Sequence, residues 1–389
     1  MSMHISGMGW VTPLGSGIGQ VWGRLMQGDI AAVENICSPL NARTYPAYRV
    51  PAGAAAAAPA HPRLRRSSAI SRFAAAAGWA ALQDAQIEMD AAAAERTALI
   101  VAISNGGVIY TRRFYHDVVE SGAQAASPLL FPETVFNAPA SHLAAILGLT
   151  GASYTLVGDG AVGLLALKMA EDLLGNPALD RCLVVGAEEA DWVVCDAYRR
   201  WRLLRAAPPV ALFERNPRGM ILSEGAGALL LESGRSARPG ADSICIEQID
   251  PGHNFSHQDD AADCISRVLA RLHATDDDLI IASANGTFID RAESAAIAAR
   301  CPRARVYGPK VSLGESVGAS SLWQVICAAQ ALRTGQVPPG SGPAANGNGK
   351  FHRAIVSACG LNQQVAGLAL QHGPLGAKGR IQPHVSAPA

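Results

Sequence analysis

What most constrains the fold of this chain is a grammar used twice: a short apolar strand runs into a glycine-containing turn, and helices alternate with such strands. In the first half, Ser153–Leu174 gives a strand, the turn Gly158-Asp159-Gly160, and a helix opening near Ala161. Around it lie the strand and turn His4–Leu14, then strands Thr97–Ser104, Asp180–Glu189 and Gly225–Glu232. A helix over Ser67–Gln86 carries an apolar face of Ile70, Phe73, Ala77 and Leu82. The second half places a helix at Asp260–His273 and the strand Asp278–Ala284, which ends in Asn285-Gly286-Thr287. A helix over about Gly318–Thr334 and strands Ile355–Cys359 and Val365–His372 close it. The run EGAGALLLES (224–233) is modestly echoed by QQVAGLALQH (363–372), and the placing of the echo suggests two duplicated halves. The expected class is α/β, with halves over 1–235 and 236–372 and a poorly ordered Gly/Pro/Ala-rich tail over 373–389.

With 389 residues, 49% of them hydrophobic, the chain can bury a large α/β core. Its 32 Lys+Arg balance 32 Asp+Glu, so no electrostatic footprint for nucleic acid or an anionic membrane is expected. The local run Arg199-Arg200-Trp201-Arg202 reads as a solvated helix face. Met1–Thr12 lacks the features of a signal peptide, and no apolar stretch of about 18 residues is free of charge. Eight cysteines without a CxxC pair fit buried free thiols in a reducing cytoplasm. His253, His257, Asp259 and Asp260 have spacing that suits a metal, but they lie in a Gly/Asn/Ser context that favours a solvated loop. No metal and no cofactor are expected.

The turn at 158–160 has a geometry that would aim a side chain at the positive end of a helix, where a thiol ionises easily. Gly160 has nothing to ionise. Asp159 beside it reads as an N-cap.

Four segments, in order and at consistent spacing, carry a resemblance. They are Ser127–Gly151 (SPLLFPETVFNAPASHLAAILGLTG), Phe213–Glu232 (FERNPRGMILSEGAGALLLE), Pro309–Ala319 (PKVSLGESVGA) and the late Gly360-Leu361-Asn362. Together they resemble β-ketoacyl-acyl-carrier-protein synthases of the thiolase fold, over about residues 3–372. The resemblance implies a five-layer αβαβα sandwich of two similar halves, usually dimeric. It also implies three catalytic groups, and each position differs here. The nucleophilic cysteine, three residues before a helix-opening glycine (Gly163), corresponds to Gly160. The first histidine, before Gly-Thr, corresponds to Asn285. The second follows a glycine shortly after a lysine; Lys310 and Gly314 are kept, but the residue is Glu315.

Ser283–Ile297 (SANGTFIDRAESAAI) and Leu332–Gly340 (LRTGQVPPG) are similar to chain-length factors, the non-condensing partners of ketosynthases in type II polyketide and aryl-polyene-type systems. Those subunits often carry glutamine at the cysteine position, where this chain has glycine. The resemblance implies a heterodimer with an active ketosynthase acting on groups carried by an acyl carrier protein. Val108, Thr111, Arg112 and Tyr115 would line the tunnel or interface, and Lys310 and Asn362 would be structural near the site. Phe131 and Phe136 would be core or interface aromatics. The alternative is a stand-alone acyltransferase or thioesterase that uses Cys359 or Asp159; a third reading is a decayed homodimer that only binds acyl chains or carrier protein.

Overall fold

A computed structural model describes residues 3–236, 243–340 and 351–373. The tail beyond 373 and the link at 237–242 lie outside the described residues.

Among the described residues, ten strands lie in line across one continuous mixed sheet, which the short Gly15–Ser16 joins as an eleventh, and the line has an internal repeat. The first five, in chain order, are Met3–Thr12, Thr97–Ile103, Ser153–Val157, Arg181–Glu188 and Gly225–Ser233. The next five are Ile244–Asn254, Leu279–Ile281, Arg305–Tyr307, Arg353–Cys359 and Gln364–His372. Across the sheet each set runs in the same order, first, fifth, fourth, second, third. The first two pairings of each set are antiparallel and the last two are parallel. The sets join where Met3–Ile5 pairs antiparallel with Ile244–Ile246.

Helices cover this sheet in three layers. Ala69–Asp84 and Ala138–Leu147 pack outside the first set, and Ala261–Arg271 with Phe288–Arg300 outside the second. Val162–Leu174 and Ser320–Thr334 fill the middle and touch both sets. Three apolar clusters correspond to these layers. The order is therefore αβαβα, as the resemblance implies. The second half of the sheet is capped at one edge by Arg305–Tyr307, whereas Ser153–Val157 is the opposite edge and is largely open to solvent.

The close fit of the first outer helix follows from small residues. A Cβ at Gly7 would come within 2.1 Å of the Ala81 carbonyl oxygen, and one at Gly9 within 2.2 Å of that of Ala77. The Gly-x-Gly of the first strand and the alanines of the helix thus let two backbones approach where larger side chains would hold them apart. In the middle layer, Ser320–Leu332 is buried on every face, so its polar groups need internal partners. Trp323 Nε1 donates to the Ala226 carbonyl at 2.9 Å, on the first set. Gln324 Nε2 donates to those of Ala282 at 2.9 Å and Ser357 at 2.8 Å, on the second. One turn of helix thereby ties both halves to the centre.

The elements read from sequence are present, with ends shifted by a few residues. Asp278–Ala284 shortens to Leu279–Ile281 because the following backbone turns away to bond side chains. Among the described residues, no helix is long and apolar enough to cross a membrane.

Candidate active site

The strand Ser153–Val157 delivers the turn Gly158–Gly160 to the start of the central helix Val162–Leu174. Gly160 is buried, yet a Cβ there would meet the Cys359 carbonyl oxygen and Gly360 Cα at an ordinary 3.4 Å. There is room for a Cβ at this position, and glycine leaves it unfilled.

Asp159 is not the N-cap expected from sequence. The cap is Ala161, which has no side-chain bond. The Asp159 carboxylate instead accepts N–H bonds from Gly160 at 2.7 Å, Leu361 at 3.0 Å and Asn362 at 2.7 Å. It faces the loop from the second half because the hairpin between Arg353–Cys359 and Gln364–His372 turns directly over Gly160.

Asn285 and Glu315 meet. Asn285 Nδ2 donates to Glu315 Oε2 at 2.7 Å, and Lys310 Nζ donates to the same oxygen at 2.7 Å. Asn285 Oδ1 accepts from Thr287 Oγ1 at 2.7 Å. The Asn285 amide is thus already committed on both sides. Glu315 is fixed through its backbone, whose N–H donates to the Ile221 carbonyl while its carbonyl accepts from Ser223 N–H. Its Oε1 is buried and has no partner. Lys310 and Glu315 are each 2% exposed, so this is a buried ion pair with one carboxylate oxygen left over.

A second tier of acids, which sequence reasoning did not assign, holds this backbone in place. Glu293 accepts from Ser283 and Ala284 N–H at 2.8 Å, and Asp290 accepts from Asn285 at 2.9 Å and Gly286 at 2.8 Å. Burial pushes the Glu293 carboxyl up to about 7 and raises that of Asp290, against the pull of these N–H donors. Their signal was in the Asp-Arg-Ala-Glu run, whose i,i+3 spacing sets both acids on one helix face. Ser283 was also missed: its Oγ accepts from Lys310 Nζ at 3.2 Å and Cys359 N–H at 3.0 Å, and donates to the Cys359 carbonyl.

The two substitute nucleophiles are poorly placed. Cys359 is buried, its thiol is pushed well above the usual range by that burial, and its Sγ bonds the Gly360 carbonyl with no histidine partner. Asp159 uses both oxygens on backbone N–H groups.

A cavity of about 680 Å³ adjoins the turn on its outer side. Asn105, Tyr198, Trp201, Gln258 and Asn362 line it together with Asp159. Trp201 is 66% exposed at its edge and packs edge-on to buried Tyr198, with centroids 5.8 Å apart. Val108, Thr111, Arg112 and Tyr115 do not line this cavity. They lie on the helix Val108–Ser121, which has no buried residue in the single chain. Val108 leans on the second outer cluster, Arg112 stacks over the Trp192 ring at 5.4 Å, and Tyr115 is 68% exposed. Phe131 and Phe136 are exposed, not core. Asn362 contributes its backbone N–H to Asp159, and its side chain is exposed.

Comparison with known proteins agrees with this fold. Residues 2–237 match the family model of the β-ketoacyl synthase N-terminal domain, and 245–342 that of the C-terminal domain. Nodulation protein E of Rhizobium sp. (strain N33) is 25% identical over 366 residues, covering 86% of this chain and 87% of that protein. The solved ishigamide ketosynthase/chain length factor superposes with a TM-score of 0.82 at 21% identity, over 96% of this chain and 99% of that one. A chain of AntDE:AntF, a type II PKS acyl-carrier protein in complex with its ketosynthase, gives a TM-score of 0.76 at 16% identity, over 95% and 99%.

Proposed function

We propose that this chain, which belongs to the β-ketoacyl synthase family, is a non-condensing subunit that pairs with an active ketosynthase and shapes the path of the growing acyl chain. The observation that carries this reading is the state of the three positions that would do the chemistry. Gly160 has no thiol with which to form an acyl-thioester, and condensation by this route needs one. Asn285 spends its amide donor on Glu315. Glu315 offers carboxylate oxygens where a hydrogen-bond donor would have to meet a developing oxyanion, and losing even one such donor typically costs about 10²–10³ in rate.

A second set of features supports pairing. The edge strand Ser153–Val157 leaves Tyr154 and Val157 exposed, and Tyr115, Val119, Leu129, Phe131 and Phe136 are exposed as well. An open strand edge with apolar side chains invites pairing with another chain. In the heterodimer, this strand would extend the sheet into the ketosynthase. Val108, Thr111, Arg112 and Tyr115 would then face the tunnel at the interface, where the bulk of a side chain limits how far an acyl chain can grow. The partner would supply the cysteine and both histidines, and an acyl carrier protein would deliver the substrate.

The test is co-expression with a ketosynthase encoded beside it, followed by size-exclusion chromatography and an elongation assay with malonyl-carrier protein. A one-to-one complex that elongates, where neither chain does alone, supports the reading. Turnover by this chain alone, without a complex, defeats it.

A further inference from the structure

The Asp159 carboxylate binds backbone on both sides of a seam. Oδ1 accepts from Gly160 N–H at 2.7 Å and Leu361 N–H at 3.0 Å, and Oδ2 from Asn362 N–H at 2.7 Å. Two of these donors belong to the loop between strands Arg353–Cys359 and Gln364–His372. The fit is close. A Cβ at Gly360 would lie 2.1 Å from Asp159 Oδ2, so glycine alone lets the loop settle here. The base of the loop is held independently: Gly360 N–H donates to the Gln364 carbonyl at 2.7 Å, and Cys359 bonds Ser283 through both its N–H and its carbonyl. Asp159, Leu361, Asn362 and Gln363 all line the 680 Å³ cavity, whereas Asn285, Lys310 and Glu315 do not.

From this we infer that Asp159 is a latch: it holds the loop tip at Leu361 and Asn362 against the Gly160 turn and walls the buried Lys310–Glu315–Asn285 network off from the outer cavity. It is a positioning residue, and its charge makes it effective. A carboxylate forms stronger hydrogen bonds to N–H groups than a neutral acceptor does, and it can take several at once. A ligand entering past Trp201 therefore stops at the Asp159 wall. It follows that four positions, not three, separate this chain from a condensing enzyme. Restoring a cysteine and two histidines would leave the thiol behind a closed loop. The latch acts within this chain and does not depend on any partner, so it can fail while the subunit reading stands, and the reverse.

The test places a reporter thiol behind the wall. Cys37 is the exposed cysteine and the other seven are buried, so Cys37→Ser gives a quiet background. Gly160→Cys supplies the reporter, at a position where a Cβ meets only ordinary contacts at 3.4 Å. Methyl methanethiosulfonate reacts when the thiolate attacks its sulfenyl sulfur; a disulfide forms and methanesulfinate leaves. Intact mass follows the rate across pH. The plateau above the thiol's titration reports access alone, which matters because Asp159→Ala also removes a negative charge. Adding Asp159→Ala should raise the plateau rate at least tenfold. In the protein without the reporter, Leu361 and Asn362 amides should exchange at least tenfold more slowly than in Asp159→Ala. A plateau within twofold of the parent overturns the latch. So do Leu361 and Asn362 amides that exchange as free peptide in the unsubstituted chain, a measurement that stands even where Asp159→Ala fails to fold.

Discussion

Lys310 and Glu315 sit 2.7 Å apart in the interior, and their worth lies in being together. Removing one partner of a buried pair leaves the other charge unsolvated, a loss of about 3–5 kcal/mol. Lys310→Met should therefore lower the unfolding free energy by about that amount in urea titration, and Lys310→Met with Glu315→Leu should recover most of it. A double variant no more stable than the single one would show that the pair is not the unit. Glu293 gives a pH signature. Its carboxyl stands at about 7 in the fold against an ordinary 4.5, because it is buried. The folded state thus holds the proton more tightly, so this contribution is complete below about 4.5 and lost as pH rises towards 7. The advantage of the native chain over Glu293→Gln should shrink between pH 5 and 7, by at most about 1.4 kcal/mol per pH unit, and then level off. A difference independent of pH contradicts this. At this scale spacing from neighbouring glycines singled out Gly160, Asn285 and Glu315 in the sequence, and the fold brings Asn285, Glu315 and Lys310 into contact. Sequence reasoning misread Asp159 as an N-cap and was silent about Ser283, because the partners of both lie on distant segments that only the fold brings near.

The elements were legible because their periodicity is strong, and their ends were not because side chains decide them. Ser68 caps the helix Ala69–Asp84 through its side chain, so the helix begins two residues inside the start read from the apolar pattern alone. The orientation of the helix Val108–Ser121 could not be read either. Its residues suggested a tunnel wall, but the single chain leaves that helix exposed, and only a second surface can make it a lining. The edge strand Ser153–Val157 makes the sharper prediction. Val157 is exposed, so Val157→Lys should change unfolding free energy by no more than about 0.5 kcal/mol. A charge on an open edge also opposes strand pairing. The same variant should weaken association with the ketosynthase at least tenfold, measured by analytical ultracentrifugation or titration. Unchanged association would place the interface elsewhere.

For the whole molecule, duplication explains both what was readable and what the chain has become. The echo of EGAGALLLES in QQVAGLALQH corresponds to strands in the same place of each set, Gly225–Ser233 and Gln364–His372. That the two sets merge into one sheet through Met3–Ile5 and Ile244–Ile246 was not readable, since three paired residues leave no pattern of their own. The centre of the fold is where turns from both halves converge: the loop after Cys359 lies over Gly160, and Ser283 bonds Cys359. Gly160 has space without a thiol, and Asn285 and Glu315 are bound to each other and to Lys310. The most direct measurement is intact mass of each subunit after the purified heterodimer is incubated with carrier protein loaded with an acyl thioester, whose carrier thiol leaves on transfer. The account predicts an acyl adduct on the ketosynthase, lost when that partner's nucleophilic cysteine is replaced by alanine, and none on this chain. An acyl adduct on this chain would contradict it.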